Sequence, residues 1–124
     1  MGSFLDLEAT KQALNLVAEV YLLCKKLPKE EIYGLASQLK RSSSSVVANI
    51  AEGFGRYTYA DKANRYTIAR GECTEVVAYL HVAVRVELLS LQEIQHSLEI
   101  ADQTGKLISG LISFCKEKSY VSHS

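Results

Sequence analysis

Apolar positions recur along this chain at steps of three and four, with no sustained alternation of two, so the pattern predicts helices and no strands. The densest stretch lies in the middle. Leu35, Leu39, Ser42, Val46, Ile50 and Phe54 form one inward stripe of a predicted helix, flanked by Ser43, Ser44, Ser45, Ala48 and Ala51. Such small side chains let a neighbouring helix approach closely, and Asn49 and Glu52 set polar groups beside that surface. Gly53 and Gly55 are expected to end the helix, because glycine tolerates the left-handed conformation that follows a last turn. Thr58, with Asp61 three residues on, begins a capping-box pattern for the next helix.

The same logic fills the rest of the chain. A first helix is predicted over about 7–27, with Ala13, Leu16, Val17, Val20, Leu23, Cys24 and Leu27 inward. Pro28 stops it and starts the second helix, about 29–54, where Gly34 predicts a kink or restart. The third spans about 59–88, with Ala63, Tyr66, Ala69, Cys73, Val76, Val77, Leu80 and Val84 inward. Ser90-Leu91-Gln92-Glu93 is a capping box opening a fourth helix over about 91–118, after which the tail from Ser119 looks frayed. That fourth helix carries two apolar stripes. Ile94, Leu98, Ala101, Gly105, Ile108, Ile112 and Cys115 make one; Ile100, Thr104, Leu107, Leu111 and Phe114 make the other. Long helices with short connections predict an all-α, antiparallel up-down-up-down four-helix bundle, with residues 1–124 as one domain.

Composition agrees with a packed domain: 124 residues, 48% hydrophobic, one proline. Net charge is zero, so the total predicts no partner, but its distribution does. Residues 25–70 hold nine basic side chains against four acidic, between two segments that are net acidic. No apolar run reaches the length of a membrane span, and the N-terminus lacks a signal-peptide pattern, so a cytoplasmic location and no membrane contact are expected. Asp6 stands where a myristoylation pattern needs Ser or Thr. Cys24, Cys73 and Cys115 are widely spaced on apolar stripes, which predicts buried free thiols.

No catalytic set emerges: there is no glycine-rich phosphate loop and no Ser/His/Asp or Cys/His arrangement. Glu93-Ile94-Gln95-His96 matches the Glu-x-x-His element of di-metal bundles, but such sites need a second copy that this chain lacks, so neither metal nor cofactor is expected. The basic residues divide. With the second and third helices antiparallel about a turn near Tyr57, Arg41 falls opposite Glu75 and Arg70 opposite Ser45. Arg41, Glu75, Arg70, Asn49 and Glu52 are therefore assigned structural polar roles, with Arg70 bonding into the Ser45–Asn49 stretch. Lys40, Arg56, Lys62 and Arg65 are the candidates for phosphate contact, with Tyr57, Tyr59 and Tyr66 placed to stack on bases or simply to pack.

Three segments carry a family resemblance: Leu27 through Arg41 (LPKEEIYGLASQLKR), Ala48 through Gly53 (ANIAEG) and Ile68 through Gly71 (IARG). With them the chain resembles the 23S rRNA-intervening sequence protein family, whose genes lie inside insertions of bacterial large-subunit rRNA genes and elsewhere. Val47 replaces a proline usual in that family, which predicts a straighter second helix. The resemblance implies a cytosolic four-helix bundle without established enzymatic activity, assembled as a homo-oligomeric ring, typically a homopentamer. Nucleic-acid binding is suspected for the family. The related accessory variability determinant of diversity-generating retroelements works with a reverse transcriptase, which implies a protein-binding adaptor as the alternative role. The second stripe of the fourth helix, Ile100, Leu107, Leu111 and Phe114, is the expected subunit interface, meeting the first helix of another copy near Leu14 and Tyr21.

Overall fold

In the computed structural model, which describes residues 2–123 and side chains through residue 120, four helices pack side by side. They are α1 (Glu8–Cys24), α2 (Leu35–Gly55), α3 (Tyr59–Arg85) and α4 (Leu91–His123), and the described residues contain no strand. Each helix runs beside two neighbours: α1 packs on α2 and α4, and α3 packs on α2 and α4. The result is a square, antiparallel up-down-up-down bundle. One end carries the α1–α2 and α3–α4 connections. The other carries the α2–α3 turn and the C-terminal turns of α4.

Leu16 and Val20 on α1, Leu39, Val46 and Ile50 on α2, Val76 and Leu80 on α3, and Ile94 and Ile108 on α4 are fully buried. These nine side chains are the axis of the core. Truncating any one of its leucines to alanine should cost roughly 2–5 kcal/mol.

Helix boundaries depart from the sequence pattern in physically interpretable ways. α1 ends at Cys24 and the chain turns through Lys25–Leu27 before Pro28. The restart expected at Gly34 is present: Lys29–Glu31 is a short 3-10 turn, and α2 begins at Leu35. There the Leu35 N–H donates to Glu31 Oε1 at 3.0 Å, satisfying one free donor of the new helix. α2 then runs unbroken to Gly55, with Val47 inside it. α3 ends at Arg85, three residues early, because Glu87 adopts φ 64°. The Leu88 N–H reaches back to Ala83 O and the Glu87 N–H to Val84 O, a Schellman closure with glutamate in the glycine position.

The Ser90–Glu93 capping box forms in full, Ser90 N–H donating to Glu93 Oε1 at 2.9 Å and Glu93 N–H to Ser90 Oγ at 3.0 Å. Thr58 caps α3 by accepting from the Asp61 N–H at 3.1 Å. α4 does not fray at Ser119; its backbone stays helical to His123.

Two expectations about packing are corrected. Gly53 and Gly55 have no left-handed conformation, since no described glycine has positive φ. Gly53 instead lies buried within α2, and Phe54 is only half-buried. The inward face of α4 also runs between the two stripes read from sequence. Ile94, Ser97, Ala101, Thr104 and Ile108 lead it, while Leu98 and Gly105 fall on one border and Leu107 and Leu111 on the other. Ile100 is only 9% exposed, and Leu107 and Leu111 pack against the core. Of the expected interface stripe only Phe114, 50% exposed, faces outward.

Candidate nucleic-acid interface

Antiparallel packing of α2 on α3 brings polar side chains together along the seam. Arg41 ion-pairs with Glu75, as the hairpin register predicts, and with Glu72 at 3.2 Å. Its Nε donates to Gln38 Oε1 at 3.1 Å, and Tyr79 OH donates to the same oxygen at 3.3 Å. Lower on the seam the expected partner changes. Arg70 does not reach the Ser45–Asn49 stretch; its Nη1 lies 3.4 Å from Ser109 Oγ on α4. Arg65 takes that place, with Nη1 3.5 Å from Asn49 Oδ1 and 3.1 Å from Glu52 Oε2. The Asn49 amide donates to Ser45 O at 2.9 Å. Five residues separate Arg65 from Arg70, roughly 500° of helical rotation, so the two point about 140° apart.

The candidate phosphate-binding cations separate into two places. Arg56, Lys62 and Arg65 gather at the α2–α3 turn. Lys40 lies sixteen residues up α2 from Arg56, about 24 Å at the helical rise, with Nζ 5.0 Å from the centre of the Tyr21 ring on α1. The three at the turn already hold local partners. Arg56 and Arg65 share the carboxylate of Glu52, at 3.5 and 3.1 Å. Lys62 Nζ donates to Phe54 O at 2.6 Å, at the C-terminal end of α2 where carbonyls lack helical partners, and sits 5.6 Å from the Phe54 ring. Two guanidinium groups on one carboxylate leave a positive surplus that faces solvent.

The last turns of α4 add further cations and rings at this end. The Phe114 ring meets Tyr59 edge to face at 6.1 Å, and Lys118 Nζ stands 5.6 Å over Phe114. On the other flank of α4, Lys116 and Tyr120, with Asn64 of α3, border an open cleft of about 350 Å³. Tyr57 in the turn is 98% exposed. This end of the bundle holds Arg56, Lys62, Arg65, Lys116 and Lys118, with Lys11 of α1, against Asp6, Glu8, Glu52, Asp61 and Glu117.

The remaining candidates have structural explanations. Glu93 is the cap of α4 and pairs with Lys26 at 3.2 Å. The Ser90 N–H, followed by Lys26, holds its carboxyl below the usual glutamate range. His96 Nε2 lies 3.9 Å from Glu19 Oε1. All three cysteines are free and buried. Burial pushes the Cys73 thiol up to about 11, with Asp102 adding to the effect, and its Sγ–H donates to Ala101 O at 3.3 Å. No described helix is long and apolar enough to cross a membrane.

The fold defines an all-α four-helix-bundle protein. The model of the 23S rRNA-intervening sequence protein family matches residues 5–110, and the chain belongs to that family. Among solved structures it is similar to a protein of unknown function from the S23 ribosomal protein family of Bacteroides thetaiotaomicron, with a TM-score of 0.77 at 24% identity. That similarity covers 84% of this chain and 97% of the other. No curated protein matches this chain.

Proposed function

We propose that this chain is a non-enzymatic, cytosolic protein that binds RNA or DNA as a homo-oligomer. The observation that carries the reading is the gathering of Arg56, Lys62 and Arg65 at the α2–α3 turn, beside the exposed ring of Tyr57 and at the same end as Lys116 and Lys118 of α4. Cations neutralise phosphates, and aromatic faces accept bases of any sequence. Several copies in one assembly multiply a modest charge surplus into a strong field.

Self-association draws support from α1 rather than from α4. Leu14, Ala18, Tyr21 and Leu22 form an exposed apolar strip at helical spacing, of the kind that soluble monomers rarely leave uncovered. A closed ring, five copies in the form the resemblance implies, would seat that strip on a different surface of the next copy. Leu14→Glu with Leu22→Glu should then yield smaller species by light scattering with helical circular dichroism intact.

Salt-dependent binding is the deciding experiment. Changing Arg56, Lys62 and Arg65 together to Gln should weaken binding and reduce the salt slope on duplex DNA by about 0.9 for each phosphate that is no longer neutralised. Wild-type protein that binds neither RNA nor DNA at low salt refutes the reading. An adaptor role, recruiting an enzyme such as a reverse transcriptase, is supported by a separate feature at the opposite end. There Leu35, Tyr79, Val82, Val86 and Leu88 line an apolar groove of about 510 Å³ suited to a partner helix. A protein that co-purifies through this groove after nuclease treatment would favour that role.

A further inference from the structure

The cleft between the start of α3 and the end of α4 has the parts of a nucleobase slot. Ala60, Ala63 and Asn64 of α3 and Lys116, Ser119 and Tyr120 of α4 line it, so small apolar groups, an aromatic ring, an amide and a cation share one cleft. The volume of about 350 Å³ falls in the range of small-ligand clefts. Tyr120 is 77% exposed, so its face is open for stacking, and Asn64 is also exposed. The Asn64 side chain makes no hydrogen bond within the described residues, which leaves both its donor and its acceptor for a ligand.

We infer that this cleft takes an unpaired base, so that the ligand is single-stranded nucleic acid rather than duplex. In a duplex each base is stacked on both faces and its pairing edge is occupied, so neither the tyrosine face nor the amide finds a partner. A splayed base offers both at once, and its backbone then passes the lysine. An exposed aromatic pair, Tyr59 and Phe114 with Lys118 over it, stands at the same end of the bundle. This inference rests on the nucleic-acid reading above and narrows it to strands with free bases.

Fluorescence anisotropy with four labelled probes tests it: a short mixed-sequence RNA strand, its DNA equivalent, a hairpin duplex of the same phosphate count, and the DNA strand carrying abasic sites. The single strands should bind tightest, and the ribo and deoxyribo arms identify which sugar is preferred. Tyr120→Ala should weaken single-strand binding by roughly 5- to 150-fold, the range for loss of one stacked base, while leaving duplex affinity unchanged. Asn64→Ala should weaken it in the same selective way, and Lys116→Gln should lower the salt slope. Both Tyr120 and Asn64 are exposed, and circular dichroism checks that the variants fold. An abasic strand that binds as tightly as the intact one overturns the slot and leaves phosphate-driven binding standing. Failure of every probe to bind overturns both. If Tyr120→Ala changes the light-scattering mass without changing affinity for any probe, the cleft belongs to an interface between copies and the slot is wrong.

Discussion

The Cδ1–Cε1 edge of the Tyr66 ring lies against Gly53, so close that a Cβ at position 53 would stand 2.7 Å from Tyr66 Cε1 and 3.2 Å from Arg65 Cβ. Tyr66 is buried and its ring cannot swing away cheaply. Gly53→Ala should therefore destabilise the bundle by about 1 kcal/mol, overpacking outweighing the gain in helix propensity. In a Tyr66→Leu background the same change should be neutral or stabilising. Equal effects in the two backgrounds, measured by urea melts, would show that the ring is not what excludes a side chain.

Arg41 serves two carboxylates at once. Its side chain is 46% exposed, so the pair with Glu75 should be worth only ~0.2–1 kcal/mol. Arg41→Ala should cost more than Glu75→Ala, because it leaves Glu72 and Glu75 one helical turn apart with no cation between them. The double variant should cost less than the sum of the two. Full additivity in denaturant melts would refute the coupling.

Glu87 holds a left-handed conformation that glycine adopts without strain. Glu87→Gly should stabilise the protein by about 0.5 kcal/mol, the relief of strain exceeding the extra freedom gained by the unfolded chain. Glu87→Val should destabilise it by more than about 1 kcal/mol, because a β-branched side chain fits that region worst. Thermal melts of the two variants should fall on opposite sides of wild type. A valine variant as stable as wild type would contradict the strain.

The cap of α4 predicts a pH dependence. Glu93 has its carboxyl held below the ordinary range, first by the Ser90 N–H and then by Lys26, so the folded state binds its proton more weakly than the unfolded chain does. Its stabilising contribution is complete above the unfolded value and is lost as pH falls through the lower folded value. Wild type should therefore melt higher than Glu93→Ala at neutral pH, and the gap should close on acidification. A gap that persists unchanged at low pH would assign the stability difference to packing instead.

The existence and order of the helices were legible because apolar spacing is a local property of the chain. Arg41 opposite Glu75 was legible for a related reason: a short turn fixes the register of an antiparallel hairpin. What escaped depended on rotation and on distant neighbours. Arg65 and Arg70 both lie on the half of α3 that runs beside the Ser45–Glu52 part of α2, and only the helical phase settles that Arg65 meets Asn49 while Arg70 turns to α4. Two adjacent stripes on α4 looked like a core face and a flank, whereas the neighbouring helices straddle them and bury most of both. Gly53 looked like a helix terminator because its actual reason, the Tyr66 ring, comes from another helix. The candidate base slot had no local signal at all. Asn64 and Tyr120 are far apart in sequence, and their approach requires α4 to continue where its polar tail suggested fraying.

The three buried thiols make this bundle its own reporter of motion. Cys24, Cys73 and Cys115 sit on α1, α3 and α4, and burial holds each above the ordinary thiol range. A thiol so held is scarcely ionised at neutral pH and is shielded by its neighbours, so an alkylating reagent reacts only when the surrounding helix opens. Labelling rates at the three positions thus become a clock for opening, one helix at a time. Cys24, the last residue of α1, and Cys115, near the end of α4, should be modified early, and Cys73, at the centre of the α3–α4 packing, should wait for the whole bundle to come apart.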